Sequence, residues 1–355
     1  MVSARYRTRA SFLSALFYSF GAVLVLYIFK FSGDWIIPTW ITFLVSMPYI
    51  IFYRLIPESP FWMISSGKFE KAYDQLASIA KVNGKPVPET LMEDIIALEN
   101  ENKLENNKKL RAINEDNSEV KEDTFFDLLT TPGLRYNTFA ITLVFIACFV
   151  AYIGISTLTM TLEASAQSEI VITLALIDIP ALVMSWFLVD SRLGRRWGSV
   201  LGMMICGISF LVPVIFQVYS LSDFIARWSI YVGRFGIAGV YMIIYQHSSE
   251  LFPTTLRNQG IGFCATVSAL FGALSSYFLK LAAYGAWLPL LIISIVCIVA
   301  AIIASFLPET LNQFLPERAE DAAKFGQNMK YWSLAVMTKK KEKLNKFEQE
   351  TCEKI

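Results

Sequence analysis

Residues 233–260 read GRFGIAGVYMIIYQHSSELFPTTLRNQG, an apolar stretch that carries one arginine near its start and ends in a proline turn. Arg234 lies within an apolar run that extends over Phe224–Tyr245. An arginine surrounded by lipid is costly, so we expect its side chain to face a bundle interior or a polar cavity. Glu250 and Arg257 flank the proline turn and could form an ion-pair cluster. The stretch therefore predicts a helix bundle in a membrane, with a few charges kept on its inside.

The composition of the whole chain supports a membrane protein. Of its 355 residues, 55% are hydrophobic and 17% are charged, and the mean hydropathy is +0.48. A soluble domain cannot hide that much apolar surface, whereas a bilayer removes the need to hide it. The net charge of +1 gives no reason to expect a nucleic-acid partner. The five cysteines lack metal-ligand spacing, and we expect four of them to be buried by packing.

Apolar runs of about 20 residues are long enough to cross a bilayer as helices. The sequence contains eight of them. The sequence lacks the alternation of apolar and polar residues that is typical of barrel strands, which argues against a transmembrane β-barrel. We therefore predict an all-α membrane protein with about eight transmembrane helices: Phe12–Phe29, Ile36–Leu55, Thr138–Met160, Ile170–Val189, Gly198–Tyr219, Phe224–Tyr245, Gly260–Leu281 and Trp287–Leu307.

The charges of the short loops predict the orientation. Arginines gather on one side of the predicted membrane, at Arg5–Arg9, Arg192–Arg196 and Arg257. The opposite loops carry acidic residues such as Glu163 and Glu169. Because basic short loops stay in the cytosol, both termini are predicted to be cytosolic. The polar stretch 58–136 is then a cytosolic loop, and residues 308–355 form a cytosolic tail.

Two similar motifs follow separate predicted spans. Pro57-Glu58-Ser59-Pro60-Phe61-Trp62 closes the second, and Leu307-Pro308-Glu309-Thr310 closes the last. Proline ends a helix, and the glutamates Glu58 and Glu309 could meet arginines of neighbouring cytosolic loops. The repetition favours an internal repeat, as in transporters built from two halves. Plain helix termination is the alternative.

The short loop Asp190–Arg196 reads DSRLGRR. Its glycine permits a tight turn between two spans. Charges at Asp190, Arg192, Arg195 and Arg196 could pair with opposite charges on the cytosolic face and hold a gate closed. The alternative is that the arginines only set the topology, and both roles are compatible.

Together these motifs resemble the organic cation, anion and carnitine transporter family of the major facilitator superfamily. The stretch 233–260 resembles that family's G-K/R-F/M-G and A-E-L-Y-P-T…R-N-x-G pattern. Further similarities follow in the family's order: Arg5–Arg9 before its fifth helix, Pro57–Trp62 after the sixth, Asn137–Phe139 at the seventh, Asp178–Pro180 in the eighth and Pro308–Thr310 after the twelfth. The resemblance implies a major-facilitator-type bundle made of a partial N-terminal half and a complete C-terminal half. Residues 1–57 would be the last two helices of the N-terminal bundle, and 137–307 would be the six-helix C-terminal bundle.

Some positions depart from the family pattern. The four helices expected before Arg5 are not in this sequence, and Ser191 stands where the loop motif usually has aspartate. Ala269 occupies a position where cation carriers of the family tend to have aspartate and anion or carnitine carriers tend to have arginine. The resemblance therefore does not imply the sign of the substrate's charge.

Bulky organic ions need aromatic walls and a few polar groups. Tyr152 matches a tyrosine of the family's seventh helix, and Tyr241 and Tyr245 share one helix face because they are four residues apart. Asp178 lies within a span, where a carboxylate indicates an ion pathway or a buried pair. Core or interface packing is the alternative for the tyrosines. His247, the only histidine, is interpreted as interfacial and solvated.

We predict a carrier of small organic ions that works by alternating access in the plasma membrane. No Walker-type loop, catalytic residue, metal or cofactor is indicated by the sequence. The candidate substrate-binding residues are Tyr152, Asp178, Tyr241, Tyr245 and Ala269. The candidate gating residues are Glu58, Asp190, Arg192, Arg195, Arg196, Arg234, Glu250, Arg257 and Glu309. The alternatives are a truncated, non-transporting membrane protein and a sugar carrier, and the oligomeric state stays open.

Overall fold

The computed structural model describes residues 7–53, 58, 60, 63, 68–84, 86, 93, 95–97, 124–158, 164–218, 223–253, 255–285, 287–311, 313, 316, 322–323 and 325. Across these residues the regular structure is helical, which confirms the predicted all-α fold class. The helices are α1 (Arg7–Ser32), α2 (Ile36–Tyr53), α3 (Phe69–Val82), α4 (Asp127–Thr130), α5 (Leu134–Leu158), α6 (Ala164–Val189), α7 (Gly194–Val218), α8 (Asp223–Leu251), α9 (Arg257–Leu274), α10 (Phe278–Ala282) and α11 (Trp287–Phe306). Much of the predicted cytosolic loop and of the tail lies outside the described residues.

Six of the described helices are long and apolar enough to cross a membrane: α1, α5, α6, α7, α8 and α11. The other two predicted spans are α2 and the run at Gly260–Leu281. Helix α2 covers Ile36–Tyr53 and is apolar along that length, which agrees with the predicted span Ile36–Leu55 as far as the described residues reach. The run expected at Gly260–Leu281 forms α9, which begins at Arg257 with a polar first turn, then a 3₁₀ turn at Ser275–Tyr277 and the short α10.

The chain forms two compact units. One contains α2 and α3, and the other contains α1 together with α4 to α11. In the larger unit α1 packs on α6, where the rings of Phe12 and Trp186 stack with centroids 5.1 Å apart. The sequence predicts that α1 and α2 together end an N-terminal bundle. The two helices belong to different units, and their pairing stays a prediction.

The core of the larger unit lies between α5, α7, α8 and α11. Phe145, Phe210 and Ile237 are fully buried there. Buried hydroxyls in α5 are satisfied within the helix: Thr138 donates to the Leu134 carbonyl at 2.8 Å, and Thr142 donates to the Thr138 carbonyl. Such internal bonds allow polar side chains in an apolar helix. Cys148, Cys206, Cys264 and Cys297 are free and buried, as predicted.

Helices α7 and α8 approach each other closely at two glycines. A Cβ atom on Gly236 would lie 2.9 Å from the Gly202 carbonyl oxygen, and one on Gly202 would lie 2.3 Å from Val240 Cγ2. Small residues allow this kind of backbone contact between membrane helices. The contact fixes the position of α8, which carries the charged and aromatic residues of the candidate site.

We expect Gly236→Ala to destabilise the protein by about 1–3 kcal/mol, because its methyl group would push against a backbone atom that cannot rotate away. Gly262→Ala on α9 is the matched control, since a Cβ there meets no atom of the described residues within 4 Å. The control should be neutral or slightly stabilising, because alanine favours helix by up to about 1 kcal/mol. Thermal unfolding in detergent measures both variants. If the Gly236→Ala and Gly262→Ala proteins melted at the same temperature, the close contact between α7 and α8 at Gly236 would be contradicted.

Candidate functional site

An ion pair lies deep within the larger unit, between α6 and α8. Arg234 Nε donates to Asp178 Oδ1 at 2.9 Å, and Arg234 Nη2 donates to Asp178 Oδ2 at 2.8 Å. Both residues are more than nine-tenths buried. A two-pronged contact of this kind is among the stronger charge-assisted arrangements and fixes both side chains. The expectation that Arg234 faces the bundle interior therefore agrees with its position.

Tyr152, which lies on a third helix (α5), contacts both residues of this ion pair. Its hydroxyl donates to Asp178 Oδ2 at 2.9 Å, and the Arg234 guanidinium lies 3.5 Å from the centroid of its ring. Arg234 Nη1 also donates to the Tyr152 carbonyl at 3.3 Å and to Ser156 Oγ at 3.4 Å. Ser156 was not predicted, because a serine in an apolar run has no distinctive sequence signal. The ion-pair site, defined as Tyr152, Ser156, Asp178 and Arg234, joins α5, α6 and α8.

An aromatic wall extends from the ion-pair site along α5 and α8. The ring centroids of Tyr152 and Tyr241 lie 5.9 Å apart, and those of Tyr241 and Tyr245 lie 5.1 Å apart. Phe149 packs on Tyr241 at 5.6 Å, and Phe145 packs on Tyr245 at 4.9 Å. The three tyrosines are half-buried. Their partly open faces could contact a bulky apolar or cationic group.

Tyr18 of α1 is a further aromatic residue near this wall. Its phenol lies near those of Tyr152 and Tyr241, and the residue is 73% exposed. Residue spacing within α1 does not predict this position, because it depends on the packing of α1 on α6. Ala269 lies on α9 with an exposed side chain. Its part in the site stays a prediction.

A second polar cluster surrounds Glu309, just after α11. The Glu309 carboxylate accepts backbone N–H bonds from Arg195, Arg196, Thr310 and Leu311, each at 3.0 Å. Two of these amides begin α7, so the carboxylate caps the positive end of that helix. The sequence predicted that Glu309 meets loop arginines. It does so through their backbone amides.

The side chains of the same arginines bind elsewhere. Arg195 Nη2 donates to Glu250 Oε1 at 3.0 Å, while Thr310 Oγ1 donates to Glu250 Oε2 at 2.7 Å. Arg196 Nε donates to the Ser305 carbonyl at 2.7 Å. The Glu309 network, defined as Arg195, Arg196, His247, Glu250, Glu309 and Thr310, thus connects the ends of α7, α8 and α11.

Gly194 makes room for this network. Its φ of +67° lies in the left-handed region that glycine adopts without strain, and a Cβ would lie 2.5 Å from the Glu309 carboxylate.

The structure places the other predicted gating residues differently. Glu58, Asp190 and Arg192 are exposed, and Arg257 is half-buried at the start of α9.

His247 belongs to the interior of the Glu309 network. Its side chain is 1% exposed, and its Nε2 lies 2.9 Å from the Pro308 carbonyl oxygen. The interpretation of His247 as solvated is therefore wrong. The tail segment that follows α11 folds back over the end of α8, which sequence spacing does not reveal. Among the described residues, no cluster of three or more potential metal-binding side chains is found.

Six described helices of spanning length, with charges paired between them, define this chain as a multi-pass membrane protein. A solved structure shares the fold: the proton:xylose symporter of the major facilitator superfamily bound to 6-bromo-6-deoxy-D-glucose. The TM-score is 0.60 at 18% identity, and the match covers 91% of this chain and 68% of that chain.

The family model described as "Sugar (and other) transporter" matches residues 2–322, and the chain belongs to this family. Solute carrier family 22 member 21 of Mus musculus is 30% identical over 314 residues, which cover 87% of this chain and 52% of that protein. Organic cation/carnitine transporter 2 of Homo sapiens is 30% identical over 307 residues, with 85% and 51% covered.

The Drosophila melanogaster carcinine transporter is 28% identical over 332 residues, which cover 93% of this chain and 47% of the relative. These relatives confirm the resemblance that the motifs indicated. The chain spans about half the length of the curated relatives that it matches.

Proposed function

We propose that the complete protein carries small organic ions across a membrane by alternating access, and that the ion-pair site and the aromatic wall form part of its substrate site. The observation that carries this proposal is the buried pair Asp178–Arg234 beside three half-open tyrosines. The names of the relatives, which include organic cation/carnitine transporter 2, support the same class of substrate.

Charge balance explains why such a pair suits an ion. A lone charge taken from water into a low-dielectric site costs several kcal/mol. Asp178 and Arg234 neutralise each other when the site is empty. A substrate cation can take the place of Arg234 beside Asp178, and a substrate anion can take the place of Asp178 beside Arg234. The substrate then exchanges one pairing for another, and the tyrosine faces contact its apolar part.

The aromatic wall and Ala269 complete the proposed substrate residues: Tyr152, Asp178, Tyr241, Tyr245 and Ala269. Binding involves no covalent step, so we expect no enzymatic activity and no cofactor. We further propose that the protein resides in the plasma membrane and that both of its termini lie in the cytosol. The arginines of the short loops support this orientation.

The proposed gate lies at the cytosolic side, in the Glu309 network. Rocking of two bundles past each other would have to break and remake contacts at helix ends, and the Arg195–Glu250 bridge is such a contact. Arg234 would couple the substrate site to the gate through α8, which also carries Glu250. The exposed residues Glu58, Asp190 and Arg192, together with Arg257, are proposed to pair across this side during the cycle.

An uptake panel tests the proposed function. Cells that express this chain, and cells that express it with any upstream coding sequence, receive a labelled quaternary ammonium, a zwitterionic betaine, an aromatic carboxylate and xylose. We expect uptake of at least one organic ion above the empty-vector background. Uptake of xylose alone would assign a sugar carrier. Background uptake of every compound by both forms would support the non-transporting alternative.

The aromatic wall makes its own prediction. One face of Tyr152 is already covered by the Arg234 guanidinium, so Tyr241 is the ring that we test for contact with a substrate cation. We expect Tyr241→Leu to raise the half-saturating concentration of a transported cation about tenfold, because a desolvated cation–π contact is worth up to about 2 kcal/mol.

Tyr241→Phe keeps the ring and should change this concentration about twofold or less. Tyr284→Leu is the control outside the wall, since Tyr284 is 87% exposed in the turn after α10. Concentration series of initial uptake rates give the comparison. A similar loss in the leucine and phenylalanine variants would show that the ring face is not what matters.

A further inference from the structure

The ring of His247 is buried with only one of its two nitrogens bonded. Nε2 lies 2.9 Å from the Pro308 carbonyl oxygen, which can only accept, so Nε2 carries the hydrogen and donates it. Nδ1 is therefore the nitrogen with the lone pair. It is buried and has no hydrogen-bond partner among the described residues. A buried acceptor without a donor is unusual in a folded protein, and a bound ligand such as a proton would satisfy it.

Burial is the largest influence on this ring and disfavours its charged form. Three charged groups also act on it. They are Glu309 after α11, Glu250 on α8 itself and Arg195 at the start of α7. The two carboxylates already have partners: Glu309 accepts four backbone N–H bonds, and Glu250 accepts from Arg195, Gln246 and Thr310. Both carboxylates are thus engaged while the imidazole is neutral, although His247 Nδ1 and Arg195 Nε have no hydrogen-bond partner among the described residues.

We propose that Nδ1 of His247 is a proton-binding site, and that a proton bound there loosens the bridge between Arg195 and Glu250. An imidazolium ion has two N–H donors, and its new donor needs an acceptor in the buried cluster. The neighbouring carboxylates are the acceptors at hand, and Arg195 repels a second cation beside it. The imidazolium then competes with Arg195 for Glu250, which loosens the contact between the ends of α7 and α8.

The composition of the chain makes this site unusually easy to observe. His247 is the only histidine in 355 residues. Histidine is the side chain that normally changes charge between about pH 5 and pH 8, and the terminal amine is the other group to consider in that range. A protein labelled on histidine alone gives a single imidazole signal, which reports this site without any substitution.

The first experiment is a nitrogen NMR titration of the purified full chain in lipid nanodiscs, from about pH 8 to about pH 5. We expect the Nε2–H tautomer at the alkaline end and conversion to the imidazolium as the pH falls. The Nδ1–H tautomer at the alkaline end would overturn the proposal. A signal that stays neutral down to about pH 5 would overturn it as well.

The second experiment measures the bridge. Melting temperatures of the wild type, R195Q, E250Q and the double variant give the coupling between Arg195 and Glu250 at each pH. We expect this coupling to fall by at least half between about pH 8 and about pH 5 in the wild type. In the H247Q background, where an amide can still donate to Pro308 but cannot titrate, it should stay constant.

A coupling that falls equally in both backgrounds would overturn the proposal, because the responsible group would then be another one. If H247Q does not fold, the NMR titration and the wild-type cycle still decide, since a coupling unchanged by acid is the overturning result. Neither measurement uses transport, so a protein that carries no organic ion leaves this test intact.

Discussion

Asp178→Asn is expected to abolish uptake and to destabilise the protein by about 3–5 kcal/mol, because it leaves the buried Arg234 guanidinium without its counter-charge. The guanidinium would keep the Tyr152 carbonyl, Ser156 Oγ and the tyrosine ring as partners, and the one amide oxygen of the asparagine would replace two charged oxygens. Thermal unfolding in detergent and uptake by intact cells measure the two effects. Glu169→Gln on the same helix is the matched control, since Glu169 is exposed and its loss should change stability by about 0.5 kcal/mol or less.

The double variant Asp178→Asn with Arg234→Gln separates structure from substrate binding. Removing both charges should restore much of the stability, because a neutral pair of similar size carries no unpaired ion. Uptake should remain absent, because the substrate then finds no charge to pair with. A double variant that transports as well as the wild type would show that the pair is structural and that the substrate binds elsewhere.

Glu309→Ala is the second substitution for which we expect a large effect. It removes the acceptor of four backbone N–H groups, two of which begin α7. Each buried N–H that loses its partner costs about 1–3 kcal/mol, so a total of several kcal/mol is expected unless water enters. Glu309→Gln keeps one acceptor oxygen and should lie between the alanine variant and the wild type. Thermal unfolding gives the order of the three proteins.

Glu58→Ala is the control for this series. Glu58 follows a proline in the same kind of motif, but its side chain is exposed. We expect its removal to change stability by about 0.5 kcal/mol or less. If Glu58→Ala and Glu309→Ala lowered the stability of the protein equally, the hydrogen bonds to Glu309 would not be the cause of the loss.

These contrasts show how far the sequence alone could reach. The run 233–260 was enough to predict a buried arginine, because lipid makes an exposed one costly. The spacing of Tyr241 and Tyr245 placed them on one face, and their ring contact agrees with it. The same reasoning missed Ser156 and Tyr18. Neither residue is distinctive in its own helix, and each becomes relevant only because another helix lies beside it.

The sequence by itself determined the class of fold, the positions of most spanning helices and the presence of deep charges. Those features depend on hydropathy and charge along the chain, which are local quantities. The tertiary structure decided which charges meet: Arg234 pairs with Asp178, Glu309 binds the amides that begin α7, and His247 is buried under Pro308. Such partners are 56 to 114 residues apart, so their contact depends on the packing of whole helices and on glycines that let backbones touch. Residue spacing along one helix carries no information on that packing.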